Sequence, residues 1–228
     1  MLPSRDTPEY AMLLLAALAA LAAPAASLPP PPGAAPELAR MSAQMDAIIA
    51  ASHARNHFTN DTRRGLPAAR HKDSGLRCIF EKAPLGNEIV LIGSIDGGGG
   101  VGCLSRPAGF RQSLEAVRLG RDQTLDSVFE GSVRNITWER EARPHDPSSM
   151  TVRVEPGIGG KAPPKARTAG YLVRTPQGEV YSRVSVAIIG DWVIRQSFEA
   201  PADRSEEAAL LADVVMSTTL IDLASRAG

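Results

Sequence analysis

Apolar and polar positions along this chain change period several times, and each change marks an element. Within residues 37–54, Leu38, Met41, Met45, Ile48 and Ser52 recur at spacings of three and four, the stripe of an amphipathic helix with Pro36 suited to its opening. Residues 56–75 turn polar, with Asn60-Asp61, Gly65, Pro67 and Ser74-Gly75 as turn signals, and read as a loop or a broken second helix. Short apolar or β-branched runs follow at 76–81, 87–94 and 101–105, separated by Pro84-Leu85-Gly86-Asn87 and by Asp96-Gly97-Gly98-Gly99-Gly100. These predict an antiparallel meander, to which 113–119 adds a strand. Helical spacing returns over 122–134, where Leu125, Val128, Phe129 and Val133 share a face and Asp122 suits the cap.

The C-terminal half repeats the alternation at 135–140, 150–155, 170–175, 179–189 and 192–199. Pro176-Gln177-Gly178 and the two-residue Gly190-Asp191 supply hairpin turns. Residues 156–169, rich in glycine, proline and basic side chains, read as a mobile surface loop. Pro201 and Asp203 then open a last helix, with Asp203 and Glu206 at capping-box spacing and Ala209, Leu210, Val214 and Ser217 on one face. The fold class predicted is α+β: an antiparallel β-meander sheet packed by an N-terminal amphipathic helix, a middle helix and a C-terminal helix. A single domain over 37–228 is expected.

Ahead of that domain, residues 11–23 are thirteen apolar positions in a row, short of the roughly 20 that a membrane-spanning helix needs. The length is that of a signal-peptide h-region. Ala23-Pro24-Ala25 or Ala25-Ala26-Ser27 supplies the small-residue cleavage pattern, so residues 1–27 read as a secretory signal cut before Ala26 or Leu28. Arg5 is offset by Asp6 and Glu9, which leaves initiation nearer Met12 open. Residues 28–36, with Pro29 to Pro32 in succession, form a proline-rich linker that no helix continues through. A periplasmic or secreted protein without stable membrane insertion follows from this reading. With 21 arginines beside four lysines and abundant alanine, a GC-rich bacterial genome is the expected source.

Export places Cys78 and Cys103, the only two cysteines, in an oxidising compartment, and a single disulfide between them is expected, with a pair of reduced core thiols as the alternative. Twenty-five basic against 25 acidic residues give zero net charge over 228 residues. That balance argues against nucleic acid as a partner, since a polyanion meets no long-range attraction.

The run Tyr181-Ser-Arg-Val-Ser-Val-Ala-Ile-Ile-Gly-Asp-Trp-Val-Ile-Arg-Gln-Ser-Phe-Glu-Ala-Pro, then a helix over about 205–216 and Ser217-Thr218-Thr219-Leu220, resembles the end of the PsbP/Mog1-like α/β/α sandwich. There a long strand, a tight turn and a second strand lead into a closing helix. The resemblance implies a non-enzymatic binding or assembly role and transfers no site residue.

Chemistry-bearing patterns lack their required neighbours. Gly97, Gly99 and Gly102 satisfy G-x-G-x-x-G, but a strand rather than a helix follows, so a hairpin tip is the better reading. Gly93-Ser94-Ile95-Asp96-Gly97 has its serine one place early for a nucleophile elbow. His145-Asp146-Pro147 reads as a turn, and Glu206-Glu207 suit the first turn of a helix. His53 and His57, four apart with His71 beyond, are the residues on which a small envelope hydrolase or metal-dependent enzyme would rest. Solvated histidines, or histidines favourable at a helix C-terminus, are the better reading. No cofactor or metal is assigned.

Charge distribution is more informative than any motif. Residues 53–77 hold six basic and two acidic side chains, a balance of +4, and residues 199–226 hold two basic and six acidic, a balance of −4. These segments dock on one another, each face a partner, or are simply two solvated faces, the commonest reading of surface charge runs. The favoured reading is a non-catalytic binding or assembly module. Arg55, Arg63, Arg64, Arg70 and Arg77 would meet an acidic protein or envelope polymer through their guanidinium forks.

Overall fold

The computed structural model describes residues 34–226 except 64, 83–85, 94–98, 146, 148–163 and 165. The apolar run 11–23, residues 28–33 of the proline-rich linker, Arg64, the strand expected at 150–155 and residues 156–163 of the expected loop lie outside the described residues, and residues 34–36, expected as linker, already belong to the first helix. Helix α1 is Ala34–Ala51. Strands β1 Phe58–Asn60, β2 Ala68–His71 and β3 Arg77–Ile79 follow, then β4 Glu88–Ile92, β5 Gly100–Ser105 and β6 Arg111–Arg118. After α2 Leu125–Thr137 come β7 Ala142–Pro144, β8 Ala166–Thr175, β9 Gly178–Ile189 and β10 Trp192–Pro201, and α3 Ser205–Ala224 closes the chain. The protein is α+β.

Seven strands form one antiparallel sheet in the order β4-β5-β6-β10-β9-β8-β7. Its centre is the β9–β10 hairpin, in which Ile189 faces Trp192 across Gly190-Asp191 and pairing runs ten residues to Val180 opposite Pro201. Gly190 takes φ +55°, the left-handed backbone that a two-residue hairpin demands.

Period-two alternation sorts the side chains onto two faces. On one face, Val101, Leu114, Ala116, Ala187 and Ile194 pack with Met45 and Ile49 of α1 and with Met216 and Leu220 of α3. Leu172, Tyr181, Phe198 and Ala200 extend that layer against Ala208, Ala209 and Ala212 of α3. On the other face, Val173, Val184, Val186 and Val193 meet Phe129 and Ile136 of α2. The sheet is thus covered by helices on both faces.

Several expectations change. Residues 56–75 are not one continuous loop, nor a helix: two short strands, β1 and β2, stand between the turns. These strands join β3 in a separate three-stranded sheet, so 76–81 is not the first strand of the meander. Three-residue strands are too short to establish a period, and that is why they escape a reading by alternation. Residues 135–140 continue α2 to Thr137 because Phe129, Ser132 and Ile136 keep helical spacing and are buried. That helix is capped by Thr124, not Asp122, and Thr124 and Ser127 exchange capping hydrogen bonds there. The capping box expected of Asp203 and Glu206 does not form. A 3-10 turn over Ala202–Arg204 enters α3 without a side-chain cap, and Arg204 pairs with Glu207 instead. Residues 166–169 belong to β8, not to a loop. In α1 the buried stripe is Met41, Met45 and Ile49, while Leu38 is exposed.

Cys78 of β3 and Cys103 of β5 form a disulfide with Cα atoms 5.8 Å apart. It joins the small sheet to the large one, not two strands of one hairpin.

Candidate functional site

Asp61, just beyond β1, gathers three arginines. Arg63 Nη2 lies 2.7 Å from Oδ1, and Arg70 Nη2 and Arg77 Nε each lie 2.9 Å from Oδ2. Arg70 and Arg77 reach one carboxylate because they face each other across β2 and β3. Arg70 also donates from Nη1 to Asp222 Oδ2 of α3 at 2.6 Å and to the Gly75 carbonyl at 2.8 Å. Arg226 stands 3.5 Å from the other Asp222 oxygen. The basic 53–77 segment and the acidic C-terminal segment therefore dock on one another at this point. Four arginines against two aspartates leave the cluster with a surplus of two positive charges.

Burial pushes the Asp61 carboxyl up, but the hydrogen bond and charge of Arg70, then the charges of Arg77 and Arg63, outweigh it and hold its pKa below the usual value. For Arg70 burial acts to lower the pKa, and Asp222 and Asp61 override it, so the guanidinium stays charged.

The four described arginines of the five expected to meet a partner divide into two pairs. Arg70 and Arg77 are turned inward and committed to carboxylates, so they are positioning groups more than open forks. Arg63 keeps 71% of its side chain exposed despite its contact with Asp61, and Arg55 is exposed.

Beside the cluster opens a cleft of about 310 Å³. Its floor is the large sheet, at Ser105, Gln112 and Leu114. One wall is β3 with its continuation, Arg77 to Glu81, and the other is α3 at Val215, Thr218, Thr219 and Asp222. Leu66 and Ile79 at its rim are 41% and 47% exposed. Thr218 and Thr219 donate their hydroxyls to the Val214 and Val215 carbonyls of their own helix, which leaves oxygen lone pairs free on that wall. Gln112 is buried, and its Oε1 has no hydrogen-bond partner.

The three histidines are not brought together. His53 follows α1 with φ +53° and borders one surface hollow with Arg55. His71 lines another, of about 550 Å³, with Trp192, Ser74 and Arg226. His57 lines neither of these. No group of three metal-binding side chains occurs among the described residues, so the constellation on which the enzyme alternative rested is not assembled. His71 is buried between Phe58 and Trp192. Its Nδ1 accepts from the Ser74 N–H and faces Ser74 Oγ at 2.8 Å, which places the neutral ring's proton on Nε2. Burial pushes its pKa down, aided by His57 and Arg118 and opposed by Asp73. That Ser74–His71 contact ties a tight turn, since the Leu76 N–H donates to the same Ser74 Oγ. A second pair, His145 Nε2 with Ser205 Oγ at 3.0 Å, fastens the chain after β7 to the start of α3 and has its serine buried. Position 145 is therefore a packing residue more than a turn residue.

Asp61, Gln112 and the rim residues Leu66 and Ile79 carry no motif. Gln112 left a trace all the same, because Gln112, Leu114 and Ala116 alternate on one face and a glutamine stands where an apolar residue is due.

No family profile matches the chain, and no curated protein matches it. Among solved structures it is similar to the solution structure of cyanobacterial PsbP (CyanoP) from Synechocystis sp. PCC 6803, at 16% identity and a TM-score of 0.41, over 67% of this chain and 89% of that one. The likeness is a distant one of fold.

Proposed function

We propose that this is an exported, non-catalytic binding module that holds an acidic macromolecular partner at the cleft between β3 and α3. The observation that carries the reading is the pairing of that open cleft, apolar at its rim, with an arginine cluster holding more positive than negative charge. Apolar surface supplies affinity, and the charge surplus selects an acidic partner and speeds its approach. Export is supported by the h-region-length run 11–23 and by the closed Cys78–Cys103 disulfide.

The test is capture of partners by the tagged protein in the envelope fraction of the producing cell, without reductant. The native chain is set against a variant carrying Arg55→Glu and Arg63→Glu. A discrete partner, lost in the variant and with rising salt while the melting temperature holds, is the expected result. Capture indifferent to both changes overturns the proposal. Intact mass of the same material should begin at Ala26 or Leu28.

A further inference from the structure

The inner cleft wall is a strand edge whose hydrogen-bonding groups point the wrong way to be used by the protein itself. In the pairing of β2 with β3, the His71 N–H donates to the Leu76 carbonyl and the Phe80 N–H to the Pro67 carbonyl. Antiparallel strands alternate bonded and non-bonded pairs, so residues 76, 78 and 80 turn their backbone toward β2. Arg77 and Ile79 consequently present N–H and C=O on the opposite edge, where none of the described strands pairs with β3. Both residues line the cleft. An unprotected edge of this kind is a template for one more strand.

Resting on the binding role proposed above, we infer that the cleft takes an extended, acidic segment of another protein, added as a fourth strand along β3. Strand addition satisfies the outward backbone groups of Arg77 and Ile79. Alternate side chains of the incoming segment then point down, so an apolar one enters the space between Ile79 and Val215. Charge selects the sequence: with Glu81 of the cleft wall counted, the four arginines around Asp61 and Asp222 exceed the carboxylates by one, and a flanking aspartate or glutamate restores the balance. A small molecule in the cleft would leave the strand edge unused, and a second copy of this chain would bring the same arginines against themselves.

The probe is a displayed library of random decapeptides selected on the whole mature protein. Enrichment of sequences with one large apolar residue flanked by Asp or Glu is expected. A synthetic copy of the best sequence should slow amide exchange at Arg77 and Ile79 while leaving Cys78, already bonded within the sheet, unchanged. Methylating alternate backbone nitrogens of that peptide should weaken it roughly tenfold or more, since it removes strand hydrogen bonds and keeps every side chain. Ile79→Pro, which deletes the outward N–H without touching the β2–β3 ladder, should weaken binding beyond Ile79→Ala. Enrichment of basic sequences, equal binding of the methylated peptide, unprotected Arg77 and Ile79 amides, or a protein dimer dissolved by Ile79→Pro would each overturn strand addition by an acidic peptide. Because the methylated peptide tests the mode without altering the protein, an unstable variant does not decide the matter. If the envelope partner is still captured while these measurements fail, the binding role stands and only this mode falls. If both fail, the binding role falls with it.

Discussion

Asp61 keeps its charge at a site where its side chain is only 6% exposed, and it does so because Arg70 and Arg77 share its oxygens. Removing that charge leaves Arg77 without its carboxylate and Arg70 with Asp222 alone, so Asp61→Asn should cost about 3 kcal/mol, read as a lower urea midpoint at constant slope. Arg63→Ala, at the exposed end of the cluster, should cost no more than about 0.5 kcal/mol. The carboxyl's folded pKa lies below its unfolded one, so its contribution is complete above about pH 4 and is lost as pH falls through the folded value. The Asn variant should lack that part of the acid loss. His71 shares the sign for a different reason: burial favours its neutral form, so below about pH 6.5 the unfolded chain binds a proton that the folded one refuses. Melting temperature should fall as pH drops through that region, and His71→Gln should flatten the slope. An unchanged slope would show that the ring is protonated in place. The residue types at 61, 70 and 77 were legible as a charge excess, but their convergence on one carboxylate needs strand register, which charge counting does not contain.

Among the elements, long strands were legible and short ones were not. Over β9, buried positions run from Tyr181 to Ala187, and such a run bounded by turn residues identifies itself. By contrast β1 and β3 each offer three residues, and the arginines on β2 and β3 disguise a sheet as a polar loop. The glycines separate in the same way into those that packing requires and those it does not. At Gly170 of β8 a Cβ would stand 2.5 Å from the His145 carbonyl and 2.8 Å from the Tyr181 hydroxyl. Gly170→Ala must push the β7 edge away and should cost about 2 kcal/mol. Gly131, inside α2, has nothing within 4 Å of its would-be Cβ. Gly131→Ala should therefore stabilise by up to about 1 kcal/mol, because it restricts the unfolded chain and suits a helix. Thermal unfolding of both variants in one buffer checks the opposite signs.

At the scale of the whole molecule, the small sheet is held on the large one by the Cys78–Cys103 disulfide, by the Arg70–Asp222 ion pair and by the shared core of Phe58, Leu76, Phe80 and Leu114. Two cysteines in a chain read as exported made the bond legible, yet not its role, since joining separate sheets is a property of topology. The bond closes a separation of 25 residues, for which loss of unfolded-chain entropy gives about 3 kcal/mol. A variant with both Cys78→Ser and Cys103→Ser should lose about that much in urea. The loss should not be uniform. The seven-stranded sheet keeps its own ladder and both helical layers, whereas the small sheet keeps apolar contact, one ion pair to α3 and the hydrogen bonds of the Asn60 side chain to Ser42 and Asp46 of α1. Amides of β2 and β3 should therefore exchange faster in the double variant, at denaturant concentrations where β9 and β10 remain protected, as expected of a unit opening below the global barrier. Simultaneous loss of protection in both sheets would show that they unfold as one and that the disulfide acts on the whole chain. Because β3 is also the cleft wall, opening of the small sheet should abolish partner capture under reducing conditions before the protein as a whole melts.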